Sequence, residues 1–203
     1  MPSNQPNRLE AIINAPMTPY FFGFLGWYGT WLIQLQLTVL DYAVGVSLIF
    51  LPAGIRTLAV LIFGFRGAVG VFLGSILSTI GYMGHVKSMN FVHICIVGAV
   101  SAFSSYLMMR LICWWRRIGD NLDELAFNDV LTIVFTQGLL SASLHQIIYA
   151  YHPLEIAYDH PSPAEAFRLW AAMATGDIVG SMILMLSAVA LANVFRHMYR
   201  TIR

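Results

Sequence analysis

Six residues combine types and spacings that could build a binding site inside an apolar protein: Pro52, Gly54, Arg56, Gln137, His145 and Asp177. Arg56 sits in the run FLPAGIRTLAVLIFGFRG. Its guanidinium presents five donors in a planar fork, the shape that matches a carboxylate or a phosphate. Pro52 and Gly54 lie about one turn earlier. Proline removes a backbone donor and glycine permits close approach, so a kink or break is expected there. Asp177, in MATGDIVGS, is the obvious carboxylate, and Gln137 and His145 are eight apart, close to one helical face. Two uses of this set stay open. In one, Arg56 anchors a small anionic ligand, Pro52 and Gly54 shape the pocket, and Asp177, Gln137 and His145 line it. In the other, Arg56 and Asp177 pair to hold the protein together. The helical rise puts them about 8–10 Å apart in depth, a gap that a long Arg side chain could mostly close, so contact is open to them but does not follow from spacing. Gly176 and Gly180 are four apart, the small-residue spacing that lets another helix approach.

Other chemistry finds no such support. There is no GxSxG, no HExxH, no Gly-rich phosphate loop and no paired catalytic carboxylates, so no enzymatic activity is expected. His85, His93, His145, His152 and His160 gather towards one side of the chain's hydrophobic segments, near Met83, Met89 and Cys95. Soft ligands with imidazole suit copper or zinc, but no compact HxxxH or CxxC spacing occurs. A haem would need His93 and His145 to face each other, and nothing else supports one. The expectation is no metal and no cofactor.

These groups must be positioned by membrane helices. Hydrophobic residues make up 58% of the 203 and charged residues 10%, against about 25% charged in soluble domains. So few charges cannot cover a water-exposed surface. A soluble enzyme, a disordered regulator and a nucleic-acid-binding domain are excluded, the last because it needs a basic patch. The fold class is all-α, a polytopic helical bundle in a lipid bilayer. About 20 apolar residues cross the hydrocarbon core, and the candidate spans are Tyr20–Leu40, Tyr42–Phe65, Ala68–Gly84, Phe91–Trp114, Val130–Tyr149 and Leu169–Phe195. Asp41 alone separates the first two, so a tight turn is expected there. An even count puts both termini on one side, together with Arg8, Arg66, Arg110, Arg116, Arg117, Arg196, Arg200 and Arg203. Lys87 and Arg168 fall opposite. Cytoplasmic loops carry the excess of Lys and Arg, so the termini are expected in the cytoplasm. The organisation is a polar segment 1–17 without a cleaved signal pattern, one transmembrane domain 18–197 and a basic tail 198–203. In the loop Trp115–Asp129, a short amphipathic surface helix is expected through Leu122, Leu125 and Ala126. Pro163, with Ala164 and Glu165, is expected to start the last helix.

One stretch carries a resemblance. Residues 48–78, LIFLPAGIRTLAVLIFGFRGAVGVFLGSILS, resemble the core of the first class of bacterial membrane-associated sensor domains. The matching positions are Pro52, Ala53, Gly54 and Ile55, then Phe63, Gly64 and Arg66, then Gly70, Phe72, Leu73 and Gly74. Gly176 and Asp177, with Gly180, are similar to that family's closing segment. Members usually precede histidine kinase or diguanylate cyclase domains, and neither is present here. The resemblance therefore implies a sensory or ligand-binding bundle of the bacterial inner membrane that acts through a separate effector. The Phe-Gly-x-Arg-Gly and Gly-x-x-x-Gly pattern is also similar to S components of energy-coupling-factor transporters, six-span proteins whose motor is a separate set of subunits. Their first-span docking motif is only loosely matched by Gly23, Gly26 and Gly29. A third expectation is a structural subunit of a larger membrane complex.

Overall fold

A computed structural model of the chain describes residues 15–43, 46–83, 90–119, 122, 124–151 and 162–201. The first fourteen residues, with Arg8, lie outside the described set, as do His85, Lys87, Met89, His152, His160 and Arg203. Helix α1 spans Thr18–Gln34, and a short antiparallel hairpin follows, β1 at Asp41–Ala43 and β2 at Val46–Ser47. Helices α2 (Leu51–Met83), α3 (Phe91–Arg116), α4 (Phe127–Tyr151) and α5 (Pro163–Thr201) complete the order. Among the described residues, α2 to α5 are long and apolar enough to cross a membrane. The protein is a helical membrane bundle. α1 is equally apolar but has only 17 residues.

α2 is two antiparallel legs, not one rod. At Gly64 the backbone leaves helical geometry, with φ 58° and ψ −134°, a region open to glycine and closed to most side chains. The chain then folds back on itself. A methyl group at Gly67 would lie 2.1 Å from the Ala59 carbonyl oxygen, whereas residues eight apart in a continuous helix are about 12 Å apart. α1 packs along both legs and registers their opposite directions. Against the first leg, the Phe22 ring packs tilted against Phe63 and Gln34 meets Leu51. Against the second, Tyr20 touches Gly70 and Trp27 Nε1 donates to Ser78 Oγ at 3.1 Å. The break at Gly64 falls just inside the expected segment Tyr42–Phe65, ahead of the segment expected to begin at Ala68.

The start of Tyr42–Phe65 is corrected. The described residues of 41–50 are not helical: β1 pairs with β2, Asp41 opposite Ser47, in place of a tight turn at Asp41. The fold is thus all-helical apart from this hairpin. Unpaired backbone is costly away from water, and three of the donors here have partners outside the hairpin. Leu48 N–H donates to Leu40 O at 2.8 Å and Phe50 N–H to Gly176 O at 3.0 Å. Leu51 N–H donates to the Gln34 side-chain oxygen at 3.1 Å. Gly176 and Gly180 make room: a methyl group would come within 1.9 Å of Ser47 O at the first and 2.0 Å of Phe50 O at the second. Their spacing serves close packing, against the extended chain at Ser47 and Phe50 and, at Gly180, against Gly54 of α2.

Two further expectations change. Pro52 causes no kink, because it is the second residue of α2, where a missing N–H breaks no helical bond. The described residues of 117–126 form turns rather than an amphipathic helix. Arg117 takes left-handed geometry and ends α3, and Leu122 and Leu125 tuck against the core around Val60, Ala68, Met109 and Ile133. Half-burying those leucines against the bundle replaces floating them on the surface. The start of α5 is as expected, with Pro163 in its first turn and a reciprocal cap. Ser162 Oγ accepts from Glu165 N–H at 3.3 Å, and Glu165 Oε2 accepts from Ser162 N–H at 2.8 Å.

Candidate functional site

Four of the six singled-out residues meet in the centre of the bundle. Arg56, from the first leg of α2, is 1% exposed, and Asp177, from α5, is 3% exposed. Arg56 Nη2 donates to Asp177 Oδ2 at 2.9 Å. Its Nη1 donates to the Ser101 carbonyl oxygen of α3 at 3.0 Å and to Ser141 Oγ of α4 at 3.1 Å. One guanidinium thus ties together four chain segments.

His145 locks the same two serines from the other side. Its Nδ1 lies 2.8 Å from the Ser141 carbonyl oxygen, and its Nε2 lies 3.2 Å from Ser101 Oγ. A carbonyl oxygen only accepts, so Nδ1 carries the hydrogen. The pairing is reciprocal: Ser101 gives its carbonyl to Arg56 and its hydroxyl to His145, while Ser141 does the converse.

A second polar layer lies one turn along. Gln137 Nε2 donates to Thr57 Oγ1 at 2.5 Å and to Ser181 Oγ at 3.1 Å, and its Oε1 accepts from Ser105 Oγ. Thr57 Oγ1 donates to Ala53 O at 3.0 Å. Every member of both layers is buried. Such a network holds only when its groups find partners, because a lone polar group in a dry interior costs its full desolvation.

The depth difference expected between Arg56 and Asp177 is bridged by the Arg side chain. Phe50 packs on Gly180, and Gly54 on Gly180 and Leu184, so Arg56 stands beyond Asp177 along α5 and its guanidinium reaches back to the carboxylate at 2.9 Å. α2 begins at Leu51, not near Tyr42. Pro52 and Gly54 do not join the cluster. Pro52 is fully buried at the start of α2, and a methyl group at Gly54 would strike Leu184 Cβ at 2.5 Å. Gly54 is a contact point between α2 and α5.

Ser101, Ser105, Ser141, Ser181 and Thr57 were missed by sequence reasoning. A signal existed: Gln137, Ser141 and His145 repeat every four residues, as do Asp177 with Ser181 and Ser101 with Ser105, which places each set along one face. Serine is common in membrane helices and did not stand out singly. Among the described residues, no three His, Cys, Asp or Glu side chains converge as a metal would require. A further ion pair, Arg116 Nε to Asp129 Oδ1 at 3.0 Å, closes the end of the bundle that carries Gly64.

Chemically, the arrangement is a closed latch. Arg56 Nη1 and Nη2 are held by protein groups, with Asp177 in the place of a ligand's anion, and Nε has no partner among the described residues. Compared with known protein families, curated proteins and solved structures, the chain matches none.

Proposed function

We propose that the chain is a sensory module of the bacterial inner membrane that crosses the bilayer six times, keeps both termini in the cytoplasm and acts through a separate effector protein. Six passes are supported by α1, the two legs of α2, and α3 to α5. The orientation is supported by charge. Arg66, Arg110, Arg116 and Arg117 gather near the Gly64 reversal and the adjoining end of α3, with Arg168 near the start of α5.

One observation carries the sensory reading. The latch joins four segments, and α5 leaves it unbroken from Asp177 to Thr201, about 36 Å at helical rise. A change at Asp177 is therefore delivered to the far end of a rigid rod. An anionic ligand that competes for Arg56 would free α5 from α2, and the partner would read the movement. No catalytic step belongs to this reading.

The test uses the full chain in lipid with spin labels at the exposed positions Phe127 and Val194. Arg56→Gln is expected to broaden or shift the distance between them. An unchanged distribution overturns the latch. Affinity capture from native membranes, with companion proteins identified, addresses the partner: a kinase or cyclase supports sensing, and an ATPase-bearing motor transfers the assignment to uptake.

A structural subunit is the second reading, favoured by the sealing of Arg56 at 1% exposure. Co-purification with a large complex and no small ligand would support it. The S-component reading draws less on the geometry. Gly23 and Gly26 are occupied by Gly67 and Ile55 within the same chain, and only Gly29 of the three has open space.

A further inference from the structure

The Arg56–Asp177 pair is joined by one hydrogen bond, Nη2 to Oδ2, although both side chains are buried. Nη1 is taken by the Ser101 carbonyl oxygen and Ser141 Oγ. Nε is buried and has no partner among the described residues. Nε and Nη2 form one edge of the planar guanidinium, and such an edge is shaped to donate to both oxygens of a carboxylate. Asp177 uses half of that fork, and its Oδ1 takes no bond from Arg56.

Charge balance then selects what can separate the two. A plain carboxylate or phosphate that took Arg56 would leave Asp177 as an uncompensated anion inside the bundle. A plain amine that took Asp177 would strand Arg56 in the same way. The neighbouring groups offer no replacement charge: Ser101 and Ser141 are neutral, and both ring nitrogens of His145 are engaged on those serines. Leaving one charge of a buried pair unmatched weakens binding by about a hundredfold or more. A ligand that carries a carboxylate and an ammonium avoids that loss. Its carboxylate fills the whole Nε–Nη2 edge of Arg56, and its ammonium, with three donors, takes over Asp177.

We propose that the ligand of the latch is a small amino acid zwitterion, which inserts between Arg56 and Asp177 and satisfies both. The proposal rests on the sensory reading and gives its ligand a chemical class. The anionic group that competes for Arg56 is then one end of a molecule with no net charge, and no buried charge is left alone when α5 parts from α2.

The test uses the full chain in lipid at neutral pH, with the spin labels at Phe127 and Val194. Each standard L-amino acid of zero net charge is added in turn, and any that acts is compared with its deaminated acid and its decarboxylated amine. At least one amino acid should shift the distance distribution, and its two singly charged analogues should need about a hundredfold higher concentration. An acid as effective as its amino acid overturns the proposal in favour of a plain anion. An equally effective amine overturns it in favour of a cation, and no response to any amino acid overturns it as well. Arg56→Gln separates that failure from failure of the latch. A shifted distance in the variant, with no amino acid acting on the parent chain, sinks the zwitterion alone, whereas an unshifted distance sinks the latch itself. A label-free arm uses the unaltered protein: the effective amino acid should raise its melting temperature more than either analogue does, and equal rises count against the proposal.

Discussion

Arg56 Nη2 stands 2.9 Å from Asp177 Oδ2, with the two side chains 1% and 4% exposed. The bond joins residues 121 apart in sequence, so it closes the bundle between the first leg of α2 and α5. Removing one partner of a buried pair leaves the other charge uncompensated, which costs about 3–5 kcal/mol, whereas replacing both with apolar residues is often neutral. Arg56→Met and Asp177→Leu are each expected to destabilise strongly, and the double variant to recover most of the loss. A double-mutant cycle in steric-trapping or denaturant unfolding measures this. Additive losses would show that the pair is not coupled.

Gln137 links Thr57, Ser105 and Ser181. Hydrogen bonds between membrane helices contribute modestly, about 0.6 kcal/mol on average and up to about 1.7. Gln137→Leu is thus expected to cost less than either single substitution at the Arg56–Asp177 pair. The same unfolding assay ranks them, and a larger loss at Gln137 would move the centre of the network to the second layer.

The close approach at α5 is tested by adding one methyl group. Gly176→Ala and Gly180→Ala would place that methyl within 1.9 Å of Ser47 O and 2.0 Å of Phe50 O. Overpacking against backbone is expected to cost about 1–3 kcal/mol. Gly29→Ala, with nothing within 4 Å, should be neutral or stabilising, by up to about 1 kcal/mol, because alanine loses less entropy in a helix. Melting temperatures of the three variants should separate accordingly.

The reversal at Gly64 makes a topological prediction. With Cys95 and Cys113 replaced by serine, single cysteines at Arg66 and Arg117 should be labelled from the same side of the membrane by an impermeant maleimide. A cysteine at Arg168 should be labelled from the opposite side. Labelling of positions 66 and 117 from different faces would make α2 a single crossing. Gly64→Ala should also lower stability by about 1–3 kcal/mol, the cost of forcing a side chain into a sparsely allowed backbone region.

Composition, hydrophobic run length and the arginine distribution made the membrane class, the spans containing α3, α4 and α5, and the split between the legs of α2 legible. These properties are local or additive: apolar length is read residue by residue, and Gly64 and Pro163 act on their own backbone. Arg56, Asp177, Gln137 and His145 were legible as a set because an ionisable or amide group inside an apolar run is conspicuous. Ser101, Ser105, Ser141, Ser181 and Thr57 were not, since a hydroxyl is unremarkable until something faces it.

What the chain alone determined is that it must lie in lipid as helices and that a few costly polar groups lie within those helices, because solvation is charged to each residue wherever it goes. Which of them meet was decided in three dimensions. The Arg56 side chain reaches along α5 to Asp177, and glycines at 176 and 180 let Ser47 and Phe50 lie against that helix. Pairing depends on the relative height and rotation of separate helices, and those are set by packing between segments far apart in the chain.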